Sequence, residues 1–195
     1  WWLPGSGRGN VLLLHGIWES RLRMVRRAEV LRREGYGVLL IDLRAHGESP
    51  GTRITFGAKE ADDAAASVAF IRSRAPGQPI AAIGWSLGGN ALLLATPPLP
   101  VDALVVEGVN PTVSQALANR LKLRLGWFPA PILAPMFRWI VPPWIGVAAE
   151  QMRPIETVGG IKAPVYMIVG SADERTTPAN ARELFDRAPD PKRFW

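Results

Sequence analysis

Five short apolar runs punctuate the sequence, none with the strict in–out alternation of a half-solvated strand: Asn10–Leu14 (NVLLL), Val38–Leu43 (VLLIDL), Pro79–Gly84 (PIAAIG), Val101–Val106 (VDALVV) and Pro164–Gly170 (PVYMIVG). Runs of this length and composition predict strands buried on both faces. Stretches of helical character lie between them. Residues 21–34 set Leu22, Val25 and Leu31 among charges and stop at Gly35. Residues 57–74 are rich in alanine and stop at Pro76-Gly77, and residues 87–95 and 178–188 complete the set. Arg44–Gly51 reads as a turn-rich loop, and Lys192–Trp195 as the beginning of a sixth strand. Strands alternating with helices predict an α/β fold, a mostly parallel sheet with helices on both faces.

Residues 110–158 depart from this alternation. They are rich in Pro, Trp, Leu and Ile, carry no strand signal and are too long for an idle connection. They predict a helical cap or lid, inserted in a core made of residues 1–109 and 159–195. The most apolar part, Trp127 to Ala149, contains Arg138 and five prolines. That predicts broken helices rather than a membrane span of about 20 uninterrupted apolar residues.

Sheets of this kind bind ligands at the carboxyl ends of their strands. His15, Asp42, Ser86, Glu107 and Asp173 all fall at or just beyond a strand end. Gly84-Trp85-Ser86-Leu87-Gly88 is a G-x-S-x-G sequence between a predicted strand and a predicted helix. There a serine sits on a sharp turn, and its flanking positions must be small for strand and helix to approach closely. The alternative is a Gly-rich turn with an unreactive serine. A serine nucleophile also needs donors for the developing oxyanion. The N–H of Leu87 is one candidate. The N–H of Ile17, in the His15-Gly16-Ile17 loop after the first apolar run, is the other, unless that loop is merely a strand-ending turn.

The segments LLLHG at 12–16, DLRAHGES at 42–49, GWSLGG at 84–89 and Gly170-Ser171-Ala172-Asp173 resemble the α/β-hydrolase superfamily, in its serine aminopeptidase-like and lysophospholipase-like branch. The resemblance runs over nearly the whole chain. It implies an acyl-enzyme mechanism on an ester, thioester or amide, with the triad acid at Asp173 and a histidine following it in the chain. Glu107 is the rival acid, because some members take theirs from that strand, and Glu174 is a weaker one. Asp62, Asp63 and Asp102 read as solvated surface acids. The sequence departs from the family pattern in its histidines. His15 and His46 are the only two, and both precede Ser86. The resemblance therefore implies a longer polypeptide, with strands before Trp1, a catalytic histidine after Trp195 and little activity in these 195 residues alone. His46 is a weak candidate for the base, with Asp42, Arg44 and Ser49 nearby, and His15 a weaker one.

Composition narrows the remaining classes. A chain of 195 residues makes about one domain. The absence of cysteine excludes disulfides, thiolate metal sites and a cysteine nucleophile. Two separated histidines make no metal-ligand cluster, and neither a dinucleotide fingerprint nor a phosphate loop is present, so no cofactor or metal is expected. The net charge of +6 owes much to Arg21, Arg23, Arg26, Arg27, Arg32 and Arg33. With Glu29 and Glu34 among them and no nucleic-acid motif alongside, they read as a solvated helix face rather than a nucleic-acid or lipid surface. The expected partner is a small acyl substrate. Trp127, Phe128, Ile132, Leu133, Met136, Phe137, Trp139 and Trp144 point either to a hydrophobic substrate or to the cap's own core. Two other readings use the same residues: a non-catalytic binding or scaffold protein of this fold, and an acyltransferase.

Overall fold

The chain opens with a two-residue strand that the apolar pattern did not announce, β1 (Trp2–Leu3). It is followed by β2 (Asn10–Leu14), α1 (Val25–Arg33), β3 (Gly37–Leu40), α2 (Glu60–Arg74), β4 (Ile80–Trp85), α3 (Leu87–Leu94) and β5 (Ala103–Glu107). Three helices come next, α4 (Val113–Leu125), α5 (Ala130–Ile145) and α6 (Pro154–Thr157), and then β6 (Val165–Ile168), α7 (Pro178–Arg187) and β7 (Lys192–Phe194). This computed structural model describes residues 1–126 and 130–195. Among the described residues the strands form one sheet in the order β1-β3-β2-β4-β5-β6-β7. Only the β1–β3 pair is antiparallel.

The lack of alternation in the strand sequences follows from two-sided burial. Along β2, Leu12 and Leu14 enter one core with Ala64, Val68 and Ile71 of α2 and Ala91 and Leu92 of α3. Val11 and Leu13 enter a second core on the opposite face, with Met24 and with Ala28 of α1. The chain runs from β2 to β3 on one side and returns to β4 on the other, so the strand order reverses at β2. Reversal of strand order opens a crevice at the carboxyl ends of the strands.

Several boundaries differ from the expectation, for local reasons. The third strand ends at Leu40 rather than Leu43, because the Leu43 N–H donates to Nε2 of His15 at 3.1 Å instead of joining the ladder. Residues 21–34 divide into a 3-10 turn, Arg21–Met24, and α1. α2 begins at Glu60, not at 57. The Glu60 carboxylate is fully buried and accepts from Thr55 N–H (2.8 Å), Thr55 Oγ1 (2.6 Å) and Gly57 N–H (2.8 Å), folding residues 55–59 into a tight loop ahead of the helix. The arginine cluster is only partly a solvated face. Arg21 binds Asp42 and Glu48, and Arg27 binds Glu107, while Arg26, Arg32 and Arg33 are exposed. Asp63 is likewise no free surface acid. It grips Arg44 through the backbone N–H (3.0 Å) and Nη2 (2.7 Å).

The elements described between residues 110 and 158 are helices, and α5 runs unbroken from Ala130 to Ile145 where its prolines predicted breaks. Pro131 lies in its first turn, where no helical N–H is demanded. Of the apolar residues named for this region, Met136, Trp139 and Trp144 are exposed. Trp127 and Phe128, and the side chains of Ile132, Leu133 and Phe137, lie outside what the structure describes.

Buried polar groups tie the loops to this frame, and two of them yield measurable expectations. Glu60→Ala leaves the Thr55 and Gly57 amides without their buried acceptor, which should lower the unfolding free energy by about 2–4 kcal/mol in urea titrations. A loss below about 1 kcal/mol would mean that the 55–59 loop holds itself.

His15 is fully buried between the β2 and β3 ends, with Nδ1 2.7 Å from the Gly16 carbonyl and Nε2 accepting from Leu43. Burial pushes its imidazole below the ordinary value of 6.5, with His46 adding to the shift, against the Gly16 carbonyl and the charges of Asp42 and Glu19. A depressed folded-state value means that the unfolded chain takes up the proton first. The contribution to stability is therefore complete above 6.5 and is lost as pH falls through the folded-state value. The urea midpoint should fall between about pH 7.5 and 5.5, and fall less in His15→Asn. Identical pH slopes in the two proteins would remove His15 from this linkage.

Candidate active site

The site begins with a backbone conformation. Ser86, between β4 and α3, has φ 50° and ψ −106°, a region that a residue with a Cβ rarely occupies. Its N–H donates to the Glu107 carbonyl at 2.8 Å, and its carbonyl accepts from Asn90 N–H at 2.9 Å. Close packing leaves no alternative to glycine on either side. A Cβ on Gly84 would lie 2.5 Å from the Gly88 carbonyl carbon, and one on Gly88 would lie 2.5 Å from the Leu14 oxygen. The sharp turn, the flanking glycines and the strand–turn–helix setting are those the G-x-S-x-G pattern predicted.

The Gly88 N–H donates to the His15 carbonyl at 3.0 Å, which binds the start of α3 to the end of β2. The chain then turns back through Gly16–Glu19, with Glu19 N–H on the Gly16 carbonyl at 3.3 Å and Trp18 at φ 63°. Among the described residues, the N–H groups of Ile17 and Leu87 have no hydrogen-bond acceptor. Both residues line the same cavity as Ser86.

That cavity has a volume of about 680 Å³. Ser86, Leu87 and Asn90 face it from the sheet side, and Trp18 and Phe56 from the loops. Across from them stand Val113, Leu117, Arg120 and Arg124 of α4, with Val141 of α5 and Arg175 of the loop after β6. Phe56 is held at φ 55°, its carbonyl accepting from Asn90 Nδ2 at 3.0 Å, and Gly57 packs directly on Asn90. Neither Trp18 nor Phe56 was singled out from sequence, since a positive φ on an aromatic residue leaves no mark in the pattern. Arg120 and Arg124 were also passed over, although their four-residue spacing on a helix was a readable sign of a shared face.

Asp173 is fixed by backbone donors. Its Oδ1 accepts from the N–H groups of Arg175 (2.8 Å) and Thr176 (2.9 Å). The loop that carries it is tied to the β5 end, with Thr176 Oγ1 donating to the Gly108 carbonyl at 3.0 Å and Asn110 Nδ2 to Thr176 Oγ1 at 2.8 Å. Asp173 Oδ2 lies 4.0 Å from where a Cβ on Gly108 would stand, and Gly108 lines the cavity. The rival acid is turned elsewhere: the Glu107 carboxylate pairs with Arg27 of α1. Glu174 is exposed.

The two histidines serve the frame. His15 is engaged at both ring nitrogens, and His46 is buried with Nδ1 2.9 Å from the Arg44 carbonyl. Their rings pack 5.1 Å apart, and neither lines the cavity among the described residues. Asp42, just beyond β3, binds the N–H groups of Arg21 (2.6 Å) and Glu48 (2.9 Å) and the Arg21 guanidinium. Burial works to raise its carboxyl, but those N–H donors and the Arg21 charge outweigh it and hold it below the usual range. Among the described residues, no three His, Cys, Asp or Glu side chains gather as a metal site, and no helix is long and apolar enough to cross a membrane.

Comparison with known proteins identifies the fold and the family. An esterase of Pyrococcus furiosus, Pf2001, superposes with a TM-score of 0.77 at 25% identity, over 100% of this chain and 75% of the esterase. A monoacylglycerol lipase of Paleococcus ferrophilus shares the fold, with a TM-score of 0.68 at 24% identity, over 100% of this chain and 86% of the lipase. The uncharacterized protein YqkD of Bacillus subtilis is 24% identical over 98% of this chain, which spans 64% of YqkD's length. The family model described as serine aminopeptidase, S33, matches residues 5–149. With this fold, this strained serine and that match, the chain belongs to the serine aminopeptidase S33 family of α/β hydrolases.

Proposed function

We propose that this protein is a serine hydrolase that cleaves an ester, thioester or amide through an acyl-enzyme on Ser86. The observation that carries the reading is the strained Ser86 turn, opening on a cavity also lined by Ile17 and Leu87, whose N–H groups have no acceptor among the described residues. Strain at a single polar residue survives only where surrounding packing enforces it, and it concentrates at functional sites.

In the proposed reaction, Ser86 Oγ attacks the substrate carbonyl carbon and gives its proton to a histidine. The carbonyl electrons move onto oxygen, where the N–H groups of Ile17 and Leu87 hold the charge. Collapse breaks the bond to the leaving group, which takes the proton back from the histidine. Water repeats the sequence on the acyl-enzyme. Asp173 orients the histidine. Its Oδ1 is anchored by two N–H groups, while the carboxylate of Glu107 is committed to Arg27.

The histidine is assigned to sequence following β7. That strand runs parallel to β6, and Trp195 exchanges hydrogen bonds with Met167 (3.0 Å) and Val169 (2.9 Å). The chain therefore leaves β7 on the edge of the sheet where the Asp173 loop stands. Residues 110–158 act as the cap, since α4 supplies the cavity wall facing Ser86.

In the full-length protein, Ser86→Ala should abolish ester hydrolysis and fluorophosphonate labelling with unchanged circular dichroism. Retention of a tenth of the activity would exclude Ser86 as nucleophile.

The acid is tested separately. Asp173→Asn should lower kcat by about 10⁴-fold, as in other triads. Glu107→Gln should cost far less. A reversed pair of effects would move the acid to β5.

A further inference from the structure

Three arginines line the cavity that Ser86 also lines. Arg120 and Arg124 project from one face of α4, four residues apart, and Arg175 comes from the loop after β6. Among the described residues, none of the three forms an ion pair. Arg120 is half-buried and uses one donor internally, Nη1 to the Ala116 carbonyl at 3.2 Å. The remaining donors of its guanidinium fork have no acceptor.

Arg175 is held beside it by its own backbone. Its carbonyl accepts from Asn110 Nδ2 (3.2 Å) and from Asn119 Nδ2 of α4 (3.1 Å), and its N–H is bound by Asp173. The fold thus fixes two like charges near each other in a partly desolvated place. Burial, and then the charge of Arg175, press the Arg120 guanidinium below its ordinary value, against a smaller pull from Asp173. Asp173 gives little relief, because its Oδ1 is already taken by two backbone donors.

We propose that Arg120 and Arg175 bind a carboxylate on the substrate, so that the enzyme selects anionic esters or amides over neutral ones. The proposal rests on the serine hydrolase reading above for its reaction, but not for its binding step. Planar guanidinium forks match a carboxylate with two parallel N–H donors. The cavity, about 680 Å³, is large enough for such a ligand. Val113 and Leu117 add apolar lining for a spacer that separates the reacting carbonyl from the carboxylate. A substrate with a free ammonium group, of the kind the family's aminopeptidase name implies, would instead add a further positive charge to an unpaired set.

The test compares matched esters on the full-length enzyme. Three p-nitrophenyl esters share an eight-carbon acyl chain: the neutral octanoate, the hydrogen suberate with a terminal carboxylate, and the 8-aminooctanoate. A fourth probe, 4-hydroxybenzoate octanoate, places the carboxylate on the leaving side. At least one carboxylate ester should exceed p-nitrophenyl octanoate in kcat/KM by about tenfold or more, and the ammonium ester should be the poorest. In Arg120→Gln the charged-to-neutral ratio should fall at least about tenfold, mainly through KM, and Arg120→Lys should recover part of it. Arg175→Gln, an exposed position, gives the same readout if Arg120→Gln fails to fold.

A ratio near one for both carboxylate placements in the unaltered enzyme overturns the proposal, as does a ratio unmoved in both variants. If no ester turns over and Ser86 does not label, the hydrolase reading fails. Calorimetric binding of suberate dianion to Ser86→Ala then decides alone. Saturable binding weakened about tenfold by adding Arg120→Gln upholds the anion site, and no binding overturns it.

Discussion

The positive φ of Ser86 is the constraint around which the rest of the sheet is arranged. A residue with a Cβ stays at φ 50° only if its neighbours leave it no other place. Gly84 lies against the Gly88 backbone, Gly88 against the Leu14 carbonyl and Gly89 against the Val109 side chain, each too close for a side chain on the glycine. The contact of Gly88 with Leu14 also sets the Gly88–His15 hydrogen bond, and that bond puts the Ile17 loop beside the serine. His15 then reaches the end of β3 through Leu43, and beyond it Asp42 holds Arg21 and Glu48. Three sequence segments, LLLHG, DLRAHGES and GWSLGG, thus act as one mechanical unit that holds the half-buried Ser86 at the cavity.

That unit was legible because each of its parts leaves a local trace. Two-sided burial erases alternation from β2 and β3, and close backbone approach demands glycine at 84 and 88, so the fold and the sharp turn could be located from residue types, while the end of β3 at Leu40 could not. What stayed hidden depends on partners distant in the chain. Trp2–Leu3 is too short to carry a pattern and exists only because β3 offers an edge. Asp63 and Arg27 looked like solvated charges until Arg44 and Glu107 were placed beside them. Phe56 is aimed into the cavity by a buried carboxylate four residues later and an amide thirty-four residues later, and no short window contains that geometry.

The division of charge within the molecule argues further than its sum. The net +6 reads from sequence as an arginine-rich surface. In the fold, arginines near the first strands are committed: Arg21 to Asp42 and Glu48, Arg27 to Glu107, Arg44 to Asp63. Each pairing fixes a loop or a strand end. Glu107 is committed to Arg27, whereas Asp173 is held by the backbone N–H groups of Arg175 and Thr176 and by no arginine side chain among the described residues. Among the described residues that line the cavity no such pairing occurs: Arg120 spends one donor on the Ala116 carbonyl, and neither Arg124 nor Arg175 forms an ion pair. Part of the positive excess is therefore gathered along the cavity that Ser86 also lines. A wall of that kind raises the local concentration of anions and lowers that of cations before any specific contact forms. If the proposed anion site holds, substrate choice follows from which arginines the core has already neutralised as much as from those it leaves at the cavity.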